Sequence, residues 1–355
     1  MEKQTSRVAV VGASGYAGEE LLAILARHAG VELVCLTSRQ YAGRQLEEVY
    51  PRLRRMRRAD PRPLPALVAP EAGTIIGSGA EYVFLSLPHG LAAEYAVPLL
   101  AAGLRVIDLS ADFRLRDPAV YRDFYAHEHP APALLGEAVY GMPELPGRRA
   151  RVAAARLLAA PGCYPTSILL PLAPLLAAGL IDPARIFISS LSGVTGAGRK
   201  ASVDLLFAEV NESAKAYGAP RHRHLSEIEQ ELSLAADGTP VIVNFTPHLI
   251  PISRGMLTTI YVEPVSSTHP TRVAELLASA YRDEPFIRLA ATEAAGLPEI
   301  AHVARTNFID IACRHDPRTG RWVLFSALDN LVKGAAGQAV QCFNLMSGWP
   351  ETTAL

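Results

Sequence analysis

Short apolar runs separated by amphipathic stretches mark the first half of this chain. Val8-Ala9-Val10-Val11 has the unbroken apolar character of a strand buried on both faces. The turn Gly12-Ala13-Ser14-Gly15-Tyr16-Ala17-Gly18 follows at once, and residues 19–26 then read as a helix. A second strand is expected over 31–36 and two more over 82–87 and 105–110, with a helical stretch at 92–100 between them. Strands alternating with helices predict a doubly wound parallel sheet. The second half has another rhythm. An apolar helix body spans 168–173, a strand is expected over 185–191, and a helix begins near Leu225. Residues 241–245, 257–262 and 307–313 read as strands of a mixed or antiparallel sheet. The segment 328–340 reads as a helix entered through Asp329 or Asn330, with small residues that allow close packing.

The glycine turn carries the first candidate chemistry. At a helix entrance its glycines let backbone N–H groups approach a pyrophosphate, which the helix dipole attracts. The spacing G-x-x-G-x-x-G departs from the commoner G-x-G-x-x-G and gains force from the strand before it and the helix after it. Gly12, Ser14, Gly15, Tyr16 and Ala17 are therefore candidate cofactor contacts. At the end of the second strand a carboxylate would bind the ribose 2′-hydroxyl of NAD. This chain has Thr37-Ser38-Arg39 instead, two hydroxyls and a guanidinium that suit a 2′-phosphate, so NADP(H) is the expected cofactor. The loops Pro88-His89-Gly90 and Ala111-Asp112-Phe113-Arg114 follow the next two strands, at the carboxyl ends where such sheets bind ligands. Arg114 has two readings, a clamp on a phosphate or carboxylate of the substrate or an ion pair with Asp112. The expected fold class is thus α/β: a Rossmann-type domain over 1–162, onto which 328–355 packs back, and an α+β catalytic and oligomerisation domain over 163–327.

Ala160-Pro161-Gly162-Cys163-Tyr164-Pro165-Thr166 places a thiol where a loop turns into an apolar helix. Unpaired N–H groups and the positive dipole end stabilise thiolate over thiol there, and Pro165 suits a first turn. Cys163 is accordingly a nucleophile candidate, whereas Cys35 and Cys313 lie within expected strands and read as packing residues. Farther on, Ser192-Gly193-Val194-Thr195-Gly196-Ala197-Gly198-Arg199-Lys200 offers the exposed backbone and charge that cradle an anion. Arg221-His222-Arg223-His224 precedes a helix, where a histidine can shuttle protons near neutral pH and arginines can hold an acidic substrate. Two histidines two apart also suit a metal, but no third and fourth ligand stands at a useful spacing, so no metal site is expected. A cysteine nucleophile, a histidine and a nicotinamide site specify one reaction type. The thiolate attacks an activated acyl carbon, the leaving group departs, and hydride reduces the thioester to an aldehyde. The anion-binding loops point to phosphate as that leaving group.

Composition narrows the setting. The 355 residues are 50% hydrophobic and 19% charged with a formal net charge of −1, which argues against general affinity for nucleic acid or acidic membranes. The run Arg52, Arg54, Arg55, Arg57, Arg58 is a local exception that reads as a solvated face. Cys35, Cys163, Cys313 and Cys342 form no Cys-x-x-Cys pair, so neither a disulfide framework nor structural zinc is expected and a reducing cytoplasm fits. The N-terminus shows no apolar signal core, and no apolar run reaches membrane-spanning length without charge or proline.

In combination these motifs resemble the N-acetyl-γ-glutamyl-phosphate reductases of arginine biosynthesis, relatives of aspartate-semialdehyde dehydrogenase. The resemblance runs over nearly the whole chain, through the Gly12 to Gly18 turn, Leu87-Pro88-His89-Gly90, Ser110-Ala111-Asp112-Phe113-Arg114, Pro161-Gly162-Cys163-Tyr164-Pro165-Thr166, Ser192-Gly193 with Gly196-Ala197-Gly198-Arg199, His222-Arg223-His224, and Asp329-Asn330-Leu331-Val332-Lys333-Gly334. It implies NADPH-dependent reduction of N-acetyl-glutamyl 5-phosphate to the semialdehyde, with Cys163 as nucleophile and His222 as acid/base; His224 is the alternative. It further implies cofactor contacts at Pro88, Ser192, Gly193 and Asn330, and substrate contacts at Arg114, Glu209, Arg223 and His224. A cytoplasmic homo-oligomer, dimer or tetramer, is expected. The rival within the superfamily is the lysine-pathway enzyme that reduces an aminoadipyl phosphate carried on a small acidic protein. Its loops look like Gly-Cys-Asn-Ala-Thr and Ser-Thr-Ser-Ala-Ala-Gly, unlike Gly162-Cys163-Tyr164-Pro165-Thr166 and the Ser192 loop here, although the Arg52 to Arg58 run would suit an acidic carrier. A third reading, a nucleotide-sensing regulator without turnover, predicts cofactor binding and no phosphate-dependent reduction of NADP.

Overall fold

β1 (Ser6–Val11), β2 (Val31–Thr37), β3 (Leu67–Val68), β4 (Tyr82–Leu85), β5 (Arg105–Asp108), β6 (Val139–Tyr140) and β7 (Leu157–Ala159) form a sheet in the order β3-β2-β1-β4-β5-β7-β6, with every pairing parallel. The computed structural model describes residues 5–54, 63–265, 270–290 and 295–355. Arg55, Arg57 and Arg58 of the basic run, and the first four residues, lie outside them. The chain divides into two compact units, Met1–Pro161 with Ala335–Leu355, and Gly162–Gly334.

In the first unit, Val8, Val10 and Val11 are wholly buried because β1 is flanked by β2 and β4 and covered on both faces. The chain order turns back between β1 and β4, which makes the carboxyl ends of these strands the expected ligand crevice. The first helix, Tyr16–Leu25, starts three residues before the apolar periodicity does, since extended Gly15 supplies its N-cap. The C-terminal helix Gly337–Met346 packs on Arg148–Ala154 and Tyr16–Leu25. Its buried face is polar as well as apolar: Gln341 Nε2 donates to Glu144 Oε1 at 2.8 Å, and Asn344 Oδ1 bonds His28 Nε2 at 2.7 Å.

The second sheet comprises β8 (Ile181–Ser192), β9 (Lys215–Ala216), β10 (Asn244–Leu249), β11 (Met256–Pro264), β12 (Ile287–Ala290), β13 (Ile309–Asp316) and β14 (Arg321–Leu328) in the order β12-β13-β14-β11-β8-β10-β9. It is mixed, parallel between β12 and β13 and between β8 and β10 and antiparallel elsewhere. The helix Cys163–Ala177, buried almost throughout, fills the space between this sheet and the helices His224–Ala235 and Pro270–Ala280. On the open face, cross-strand neighbours Phe187 and Tyr261 remain 45% and 46% exposed.

Three expectations need correction. The strand expected over 241–245 is displaced to Asn244–Leu249, where Pro247 is tolerated beside a two-residue edge strand. β14 was not anticipated, and its Leu328 ends where a helix was expected to begin. Residues 328–334 belong to the second unit, and the helix starts only at Gly337 after a π-helical turn over Val332–Ala336. The reason is Asp329. Its Oδ1 accepts the N–H groups of Leu331 at 2.8 Å and Val332 at 3.1 Å, closing a local turn that competes with a regular helix start.

Candidate active site

In the first unit the glycine turn leaves β1 through Gly12 at φ +83°, where a Cβ would stand 2.2 Å from the Ser86 carbonyl oxygen. The turn is thereby drawn against the end of β4, and at Gly15 an added Cβ would make an ordinary contact, 3.8 Å from the Gly12 carbonyl oxygen. Ser14 Oγ and Ser38 Oγ share a hydrogen bond of 2.9 Å, joining the glycine turn to the end of β2. Thr37 is fully buried and its Oγ1 has no hydrogen-bond partner among the described residues. Arg39 is exposed beside them, as is Pro88 on the next loop. An orphan hydroxyl, a bonded serine pair and an exposed guanidinium suit the polar groups of a nicotinamide dinucleotide.

Arg114 is 6% exposed and largely committed to its own unit. Its Nε donates to the Ala160 carbonyl at 2.8 Å and a terminal nitrogen to Leu109 at 2.9 Å. Beside it Asp108 and Asp112 are both wholly buried, and burial first, then the Asp112 charge, raise Asp108 to about 7. Asp112 holds the next loop: its carboxylate accepts Gly90 N–H at 2.7 Å and Ala93 N–H at 3.2 Å.

In the second unit Cys163 is the first residue of Cys163–Ala177, half-buried, with extended Gly162 as N-cap. The N–H groups of a first turn have no intrahelical acceptor, and this one is further thinned by Pro165. Gly334 packs directly on Cys163, since a Cβ there would lie 2.7 Å from Cys163 Cβ. Tyr164 turns into an aromatic cluster. Its ring lies 5.3 Å from His222, 5.9 Å from His224 and 5.1 Å from Phe245, and its hydroxyl bonds Tyr217 at 2.7 Å. Burial first, and then the charge of Arg223, lower His222 to about 4. The ring is therefore neutral near pH 7. Backbone N–H of His224 donates to His222 Nδ1 at 3.1 Å, so the neutral ring carries its proton on Nε2.

Ser192 and Gly193 are buried at the start of the second glycine loop. Asn330 braces that loop: its Oδ1 accepts Gly255 N–H at 2.7 Å and its Nδ2 donates to Thr195 Oγ1 at 3.0 Å. Arg223 and Glu209 are exposed, the latter on the short helix Phe207–Val210. Residues not anticipated as site components are Tyr217, Asp329 and Glu227. Asp329 opens the motif Asp329-Asn330-Leu331-Val332-Lys333-Gly334, and Glu227 stands three residues after His224 on one helix face, whereas Tyr217 carries no such signal.

Known proteins carry the same organisation. Residues 7–153 match the family described as "Semialdehyde dehydrogenase, NAD binding domain", and residues 163–330 match "Semialdehyde dehydrogenase, dimerisation domain". A curated relative from Akkermansia muciniphila, named N-acetyl-gamma-glutamyl-phosphate reductase, is 54% identical over 98% of this chain and 98% of its own length. Another of that name from Geobacter metallireducens is 49% identical over 98% of this chain and 97% of its own. In fold, the chain is similar to aspartate semialdehyde dehydrogenase II from Vibrio cholerae, at a TM-score of 0.71 and 19% identity, covering 97% of this chain and 98% of that one. These names do not favour the carrier-linked lysine-type reading. With both units matched and near full-length relatives at such identity, the chain belongs to the semialdehyde dehydrogenase family, in the group of N-acetyl-gamma-glutamyl-phosphate reductases.

Proposed function

We propose that this protein reduces N-acetyl-γ-glutamyl 5-phosphate to N-acetylglutamate 5-semialdehyde and phosphate, using NADPH, in arginine biosynthesis. The observation that carries the reading is Cys163 at the first position of a buried helix, followed by a tyrosine packed on His222 and His224. The Cys163 thiolate attacks the acyl carbon, and phosphate leaves with the electrons of the broken C–O bond. The glycine turn with Ser14, Thr37, Ser38 and Arg39 would hold NADPH, which would supply the hydride that takes the thioester to the aldehyde level. As the carbonyl oxygen gains charge, His222 donates it a hydrogen bond from Nε2–H while keeping that proton, and collapse of the tetrahedral oxyanion frees the aldehyde and returns the thiolate. In the oxidative direction the ring exchanges tautomers, releasing the His224 N–H, to take the hemithioacetal proton. Arg223, His224, Glu209 and Arg114 are the proposed substrate contacts, and Pro88, Ser192, Gly193 and Asn330 join the glycine turn as proposed cofactor contacts. A thiol that must stay reduced suits the cytoplasm. The exposed Phe187 and Tyr261 on the open sheet face support a homo-oligomer.

The test is an oxidative assay with phosphate and NADP, run side by side on free N-acetylglutamate semialdehyde and on the carrier-linked substrate. Turnover of the free compound alone is expected; turnover of the carrier-linked one alone would reject the reading. Cofactor choice has its own prediction. NADPH should bind more tightly than NADH, and Arg39→Ala should narrow that gap by roughly 1–3 kcal/mol, the scale of a charged hydrogen bond. Equal kcat/KM for the two cofactors in the unaltered protein would contradict it.

A further inference from the structure

Glu227 is only 1% exposed, although it sits in the first turn of the helix His224–Ala235. In isolation an acidic residue there merely complements the helix dipole from solvent. A buried carboxylate, by contrast, needs strong partners to offset its lost hydration. One partner is the N–H of Gly162, which donates to Glu227 Oε1 at 2.9 Å across 65 positions of sequence. The carbonyl of the same glycine accepts the Thr166 N–H at 3.0 Å and the Thr166 hydroxyl at 2.9 Å. Both polar groups of the Gly162 backbone are thereby held, and Cys163 is the next residue. The helix that carries Glu227 is the one entered through His222 and His224.

We propose that Glu227 is a positioning residue that clamps the peptide before Cys163 to the histidine-bearing helix, and so sets the separation of nucleophile and acid/base. This rests on the reading of Cys163 as the nucleophile. The carboxylate also has an effect of opposite sense on the thiol. Its negative charge near the first turn opposes thiolate formation, which the N–H groups of that turn favour.

Two substitutions separate clamp from charge. Glu227→Gln keeps an acceptor oxygen in the same volume and removes the charge; Glu227→Met fills that volume and removes both. The rate of Cys163 alkylation by iodoacetamide is followed against pH without substrate, and kcat is expressed per alkylatable thiol. For Glu227→Gln, kcat should fall less than in Glu227→Met and the alkylation midpoint should move to lower pH. For Glu227→Met, kcat should fall about 10–100-fold with the Kd for NADPH unchanged, as expected when a reacting group is displaced by a fraction of an ångström to an ångström. Should Glu227→Met not fold, Glu227→Asp, which withdraws the acceptor by one methylene, takes its place with the same expected direction. Wild-type kcat in the clamp-less variant, or equal losses in it and in Glu227→Gln, would overturn the proposal. Alkylation needs no turnover, so this failure is distinct from that of the acyl-phosphate reading, in which the unaltered protein would itself be inactive.

Discussion

Cys163→Ser should abolish turnover while leaving NADPH affinity nearly unchanged. The helix entrance stabilises an anion on residue 163, but a serine hydroxyl ionises far too weakly near neutral pH to exploit it. Affinity for the dinucleotide should survive because the glycine turn, Ser14, Thr37, Ser38 and Arg39 belong to the other unit. The remaining cysteines provide internal controls. Burial pushes the Cys313 thiol up to about 12 and raises Cys35 as well, while Cys342 is wholly buried and donates to the Gly141 carbonyl. Cys313 and Cys35 are thereby held in the poorly nucleophilic thiol form, so Cys313→Ser should retain turnover. Steady-state kcat and fluorescence titration of NADPH on the two variants decide the matter. Most of the wild-type kcat surviving in Cys163→Ser, or its loss in Cys313→Ser, would refute the covalent mechanism.

His222→Asn should lower kcat by about 10²–10⁴-fold with little change in cofactor Kd, the usual scale for loss of an acid/base group. His224→Asn should be milder, because the groove of His222 among Tyr164, Tyr217 and Phe245 depends on the His224 backbone N–H, which asparagine retains. The pH dependence has a definite sign. The oxidative direction requires the neutral ring, and burial lowers its protonation from the ordinary 6.5 to about 4. Rates should therefore hold through pH 6 to 5 on account of this group and fall only as the pH approaches about 4. A pH series of oxidative kcat for wild type and both mutants is the measurement. Greater damage from His224→Asn would transfer the role to His224, and indifference to both would make the pair structural or substrate-orienting.

Local order along the chain determined much of this protein. The strand Val8 to Val11, the glycine turn and the following helix are specified by contiguous residues, because a buried parallel strand must be apolar throughout and a tight turn needs glycine at φ +83°. The same holds for Cys163, whose loop-to-helix setting depends on Gly162 and Pro165 beside it. Elements that depend on distant partners were not legible. β14 takes its place because Trp322 and Leu324 pair with Val262 and Ile260 of β11, and neither strand's alternation says which neighbour it will find. The end of that strand resembles a helix entrance in sequence because small, polar residues around Asp329 satisfy helix-entry rules, while the Asp329 bonds to Arg305 N–H at 2.6 Å and to Arg254 come from other loops. Asn330 and Arg114 have the side-chain chemistry of ligand contacts, yet much of their hydrogen-bonding capacity is used on nearby backbone and side chains. The depressed protonation of His222 and the hold of Glu227 on Gly162 were likewise decided only by tertiary structure, since desolvation and long-range hydrogen bonds are properties of what packs around a residue, not of its neighbours in the chain.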